Sequence, residues 1–138
     1  HVVLFGVGHL GKAILKSSGL IKDRIKIVAA FDPNEKVTGR RLCNVKVHSP
    51  EVAPEVIRKT RAEMGIIAVP KEASQRAANL MVISGLRGIL NLSSLPIRVP
   101  RGVVVKNIDL TVEFISMFYD LKVRRIFSGS RFYKKRGL

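Results

Sequence analysis

A single cysteine, Cys43, is present among 138 residues. A disulfide framework is therefore excluded, and a solitary thiol supports no metal cluster. Cys43 lies in a polar stretch beside Arg41 and Asn44. It reads as an ordinary side chain in a reducing, cytoplasmic setting rather than as a redox centre. Long apolar runs are missing too. No stretch approaches the ~20 residues of a membrane span, so no membrane partner is expected. The opening apolar run is cut by glycines, which argues against a secretory leader. Acid is scarce: 10 Asp and Glu stand against 25 Lys and Arg, a formal charge of +15. Such an excess favours polyanions such as nucleic acid or phosphorylated ligands. It is concentrated at the end of the chain. From Lys122 to Leu138 come Lys122, Arg124, Arg125, Arg131, Lys134, Lys135 and Arg136, interleaved with Phe127, Phe132 and Tyr133 and with no acid. That tail reads either as a solvated terminus or as an arm that touches phosphate backbone.

The rest of the chain is ordered and repeat-free. A hydrophobic fraction of 46% in 138 residues suits one domain with a real core. Apolar runs at 2–5, 25–31, 45–47, 64–69, 88–92 and 103–106 read as strands. Helical spacing recurs over 10–16, from Ser49-Pro50-Glu51 to about Arg61, over 73–84 with Gly85 just past its end, and over 110–123. Ser49 is the expected N-cap of the second helix, with proline at its first position. The strands are continuous apolar runs rather than alternating ones, as parallel strands covered on both faces are. Strand and helix in alternation imply an α/β fold: a Rossmann-type, doubly wound, mostly parallel sheet. The first residue is His1 and a strand follows at once, so a further segment upstream is expected.

Gly6-Val7-Gly8-His9-Leu10-Gly11 sits between the first strand and the first helix. By itself a G-x-G-x-x-G is weak. Here Asp32 closes the second strand about 20 residues on, and the combination is far more specific. Gly6 permits the tight turn, Gly8 lets backbone approach a pyrophosphate, and Gly11 lets the helix pack close. The helix N-terminus offers free N–H groups to the anion. Asp32 can accept both adenosine ribose hydroxyls and would repel a 2′-phosphate, which favours NAD(H) over its phosphorylated form. Arg40 and Arg41 stand nearby and pull the other way. His9 leaves the same loop and is either a phosphate contact or a helix-start residue. His48 reads as a surface residue.

Ligands of such sheets lie beyond the carboxyl ends of the strands. In the second half those ends are Ala68-Val69-Pro70, Asn91-Leu92-Ser93-Ser94 and Asn107-Ile108-Asp109. Val69, Pro70, Asn91, Ser93 and Asp109 are the candidate contacts around the nicotinamide half. Asn91 also suits a plain turn, and Asp109 an N-cap for the last helix. A dehydrogenase needs a His, Lys or Tyr to move the alcohol proton. Apart from Lys106, none ends a strand in the second half, and no room remains for a substrate domain. No catalytic residue is assigned, and binding outranks catalysis.

The last helix carries Leu110, Phe114, Met117, Phe118 and Leu121 in one stripe, widened by Val112, Ile115, Tyr119 and Val123. A helix apolar on most sides must be buried on more than one side. A second subunit is therefore expected over Leu110, Phe114, Phe118 and Leu121.

The stretches GVGHLGKAI, IVAAFDPNEKVTG, IIAVPKEASQRAANLMVISGLRGILNLSS and VPRGVVVKNIDL, with the helix that follows, resemble the regulatory domain of the Rex family of redox-sensing transcriptional repressors. The resemblance covers nearly all of residues 2–121. It implies an NADH/NAD-responsive homodimer whose final helix is exchanged between protomers. It also implies operator DNA bound through a winged-helix domain upstream of this chain. Gly6 to Gly11 and Asp32 carry over as the cofactor loop and ribose acid, and Asp109 as a residue near the nicotinamide. The sequence departs from the family at Lys16-Ser17-Ser18-Gly19, where relatives often have an aromatic, and in its strongly basic tail. The expected organisation is a dinucleotide-binding domain over 1–109, a dimerisation helix over 110–123 and a basic tail over 124–138. The rival readings are the cofactor domain of a dehydrogenase and a CoA-binding module.

Overall fold

The computed structural model describes residues 1–17 and 25–128. Its elements follow the expected alternation. They are β1 (Val2–Phe5), α1 (His9–Ser17), β2 (Ile27–Phe31), β3 (Arg41–Leu42), β4 (Val45–His48), α2 (Ala53–Thr60), β5 (Met64–Ile67), α3 (Lys71–Ile83), β6 (Gly88–Asn91), β7 (Val104–Asn107) and α4 (Leu110–Ser128). The sheet has seven strands in the order β3-β4-β2-β1-β5-β6-β7. All pairings are parallel except β3 with β4. The order reverses at β1, whose neighbours are β2 and β5. This is the doubly wound Rossmann-type arrangement, with its crevice at the carboxyl end of β1.

Alternation along β1 explains why the central strands are apolar throughout. Val3 and Phe5 join one cluster, with Ile57 of α2 and Ala77, Ala78 and Met81 of α3. Leu4 joins another, with Leu15 of α1 and with Val45 and Val47 of β4. Both faces are covered, so neither set of side chains meets water. Small residues bring the layers together: a Cβ on Gly65 would stand 2.6 Å from the sulfur of Met81.

Several local features differ from the sequence expectation. The segment between the expected strands at 25–31 and 45–47 contains β3, which turns back onto β4 through Cys43 and Asn44 at φ 51° and 64°. Two consecutive left-handed residues between paired strands form the tight hairpin whose twist matches the sheet. β2 starts at Ile27, because Ile25 is exposed and outside the ladder. After Ser49 the chain makes a 3-10 turn over Pro50–Val52 before α2 begins, and the Ser49 hydroxyl accepts the Glu51 N–H at 3.4 Å. α3 ends as expected at Gly85, φ 91°. The Leu86 N–H reaches the Met81 carbonyl and the Gly85 N–H the Val82 carbonyl, each at 3.0 Å. Two carbonyls left over by the helix end are thereby satisfied.

The chain divides into two compact units, His1–Ile108 and a second that starts at Asp109. The second contains α4, which runs on to Ser128 rather than stopping at Val123. No proline or glycine interrupts it before Gly129, and Arg125 in its last turn suits the negative end of the helix dipole. Its side chains Leu110, Phe114, Phe118 and Leu121 are all exposed in the single chain. Ser18 and Gly19, and the tail from Gly129, lie outside the described residues.

Candidate functional site

The glycine loop follows β1 directly. Gly6 has φ 99°, and a Cβ there would collide with the carbonyl of Ala68 at the end of β5. Glycine is thus required twice over, for the turn and for the close approach of two strand ends. A Cβ on Gly11 would collide with the carbonyl of Gly6, with Leu4 Cδ2 3.7 Å away. Gly11 therefore closes α1 onto its own loop as well as onto the sheet. Gly8 behaves differently, because a Cβ there would meet nothing within 4 Å. Its missing side chain leaves open space outside the loop rather than room within the fold. The first amides of α1 have no intrahelical carbonyl to bond. The helix end is suited to a pyrophosphate, and the residues fit that group. His9 is exposed at the helix start, Leu10 is half-buried and Val7 is buried.

Asp32 stands at the end of β2, half-buried. One of its oxygens accepts the Val7 N–H and the other the Asn34 N–H, both at 2.8 Å. The Asp32 amide donates to the His48 carbonyl at 3.1 Å. Its carbonyl accepts from the Thr38 hydroxyl at 3.1 Å. Each carboxylate oxygen still has a free lone pair. The acid is thus held at the loop and remains able to accept two hydroxyls.

A groove of about 750 Å³ is lined by Phe31 and Pro33, the residues on either side of Asp32, though not by Asp32 itself. Phe5, Phe31, Val69, Ala77 and Leu80 give it an apolar lining, and Pro33, Thr38, Ser49 and Pro50 add polar and turn residues. Its charged side chains are Glu35, Glu51 and Arg76. Size and character suit a flat aromatic group attached to a ribose. Neither Arg40 nor Arg41 lines it, and the Arg41 guanidinium turns to the Asn44 carbonyl at 3.4 Å. Sequence reading overlooked Arg76. Its signal is the series Ala73, Arg76, Ala77 and Leu80, a helical stripe beginning just after the strand end at Val69.

The remaining candidates fall into three situations. Val69 lines the groove, while Pro70 is exposed at the start of α3. Asn91 is fully buried and bonded within the protein. Its amide nitrogen donates to the Leu95 carbonyl and to Asn107 Oδ1, both at 2.9 Å, and its oxygen accepts the Ser93 N–H at 3.0 Å. The Ser93 hydroxyl also bonds the Leu95 carbonyl, at 3.0 Å. Asn91 and Ser93 thus brace the loops after β6 and β7. Asp109 belongs to the second unit, where it caps α4 by accepting the Thr111 N–H at 2.9 Å.

His48 lies against Phe31, ring centroids 5.8 Å apart. Burial, and then the charge of Lys46, hold its imidazole below the ordinary histidine pKa.

Residues 1–95 match the CoA binding domain family. The redox-sensing transcriptional repressor Rex of Staphylococcus haemolyticus is 37% identical over 122 residues, which is 88% of this chain and 58% of that protein. Its counterpart from Pelotomaculum thermopropionicum is 38% identical over 120 residues, 87% of this chain and 56% of that protein. Among solved structures, RSP, a Rex-family repressor, in complex with NAD+ and operator DNA, superposes with a TM-score of 0.82 at 25% identity. That match covers 99% of this chain and 62% of RSP. The chain thus spans somewhat more than half the length of the relatives it matches.

Proposed function

The chain belongs to the CoA binding domain family, and on that premise we propose that it is the NAD(H)-responsive sensor domain of a Rex-like redox-sensing repressor. The observation that carries this reading is the closed loop of Gly6, Gly8 and Gly11 with Asp32 bonded to Val7 beside it. The loop and α1 would hold the pyrophosphate, Asp32 the adenosine ribose, and the Phe5–Phe31–Val69 groove the adenine. NADH would favour one arrangement of a homodimer joined through α4, and so release operator DNA bound by an upstream winged helix. Such leverage requires different affinities for the two dimer states. RSP has been captured with NADH and, separately, with NAD+ and operator DNA, which supports this reading. The protein acts as a binding module in the cytoplasm and not as an enzyme. Among the described residues, Lys106 is the one proton-transfer candidate at a strand end in the second half, and it is exposed.

A CoA-binding module is the second reading, favoured by the family match. CoA carries a 3′-phosphate on its adenosine ribose, and the groove is lined by Glu35 and Glu51, whose charges would repel it. Calorimetric titration of the chain with NADH, NAD+ and CoA separates the two. Binding of NADH that excess CoA does not displace is expected. Displacement of NADH by CoA at comparable concentration would transfer the assignment to CoA.

A further inference from the structure

The added hairpin at the sheet edge carries a pairing that its own stability does not favour. β3 and β4 place Arg41 directly opposite Lys46. Like charges facing each other across a strand pair are destabilising. Both residues are exposed, and among the described residues neither makes an ion pair. No acid occurs between Lys36 and Pro50, a stretch that also contains Arg40. On the opposite face of β4, Val45 and Val47 are buried in the core. Arg41 and Lys46 are therefore fixed outward by the packing beneath them. His48 at the end of β4 is held toward its neutral form first by burial and then by the charge of Lys46.

From this juxtaposition we infer that the β3–β4 hairpin is a phosphate-contacting surface for the backbone of duplex DNA, with Arg41 and Lys46 as its contact residues. A hairpin with two outward cations and no acid on either strand is complementary to a row of phosphates, and each neutralised phosphate releases condensed counterions. Edge protection explains a charge on β3, since edge strands are commonly blunted that way. It does not explain two facing charges of one sign, because an acid at either position would blunt the edge and satisfy its partner. The repressor reading enters only in the choice of DNA over another polyanion. The surface is separate from the glycine loop, so a chain that fails to bind NADH leaves this inference intact.

The test uses the 138-residue chain and a labelled 20-base-pair duplex of arbitrary sequence. Fluorescence anisotropy is followed between about 50 and 200 mM salt, where binding to the phosphate backbone is most visible. The double variant Arg41→Gln, Lys46→Gln should bind more weakly. Its plot of log affinity against log salt should flatten by about 0.9 for each phosphate that is no longer neutralised. Lys46→Gln alone should also raise Tm slightly, since it removes a repulsion; a purely structural lysine would lower it. A variant neutralised at Lys134, Lys135 and Arg136 serves as the control for the tail. If the double variant keeps wild-type affinity and slope while the tail variant does not, the hairpin is not the surface. Tighter binding of poly-glutamate than of duplex at equal salt would overturn DNA as the occupant.

Discussion

The carboxylate of Asp32 and the backbone N–H of Val7 are 2.8 Å apart, a charge-assisted bond between the end of β2 and the glycine loop after β1. The bond joins the group suited to a ribose to the loop suited to a pyrophosphate. In the proposed dinucleotide site, one side chain would thereby set the spacing between the two halves. Asp32→Ala should weaken NADH binding by roughly 10- to 100-fold, since hydrogen bonds to a charged group contribute about 1.5–3 kcal/mol. NADPH should bind the wild-type chain much more weakly than NADH, and the gap should narrow in Asp32→Asn. Equal wild-type affinities in calorimetry would remove Asp32 from the ribose site.

The glycines of the loop should respond differently to substitution. Gly11→Ala places a Cβ against the Gly6 carbonyl, a backbone group that cannot rotate away. A loss of about 1–3 kcal/mol of stability is expected, read from urea unfolding. Gly8 meets open space and does not have positive φ. Gly8→Val should therefore keep the wild-type unfolding midpoint and lose NADH binding. A Gly8→Val chain that binds NADH normally would show that no pyrophosphate approaches there.

The exposed face of α4 predicts an assembly. Phe114 is 75% exposed and Phe118 60% exposed in the single chain, an unusual state for two phenylalanines one helical turn apart. If a partner chain covers them, replacing both with alanine should remove roughly 3–5 kcal/mol of packing at each. Sedimentation velocity should show a wild-type dimer and a monomeric double variant that still binds NADH. A wild-type chain that stays monomeric at high concentration would count against the sensor reading.

His48 gives a pH dependence of defined sign. Its pKa is lowered in the folded chain by burial and by Lys46, so the unfolded chain binds its proton more readily. The associated stability is present above the unfolded pKa, about 6.5. It is lost as pH falls through the lower folded value. Melting temperature should begin to drop as pH falls below about 6.5, and His48→Gln should reduce that drop. An identical profile in His48→Gln would place the acid sensitivity in other groups.

Local pattern was enough for the scaffold. The alternation of apolar runs and helical stripes implied the doubly wound sheet, because covering both faces leaves no polar alternation in the strands. The glycine spacing and Asp32 were legible because backbone conformation and charge are written in single residue types. The β3–β4 hairpin was not legible. Its two turn residues are Cys43 and Asn44 rather than a glycine pair, and β3 is only two residues long. Nor did sequence show that Asn91 is consumed by Leu95, Asn107 and Ser93, or that Arg76 reaches the groove. Those facts depend on which strand ends are neighbours. Adjacency of β6 with β7, and of β1 with β2 and β5, is a property of the closed sheet. Residues far apart in the chain acquire a shared chemistry only when parallel pairing brings the strand ends together.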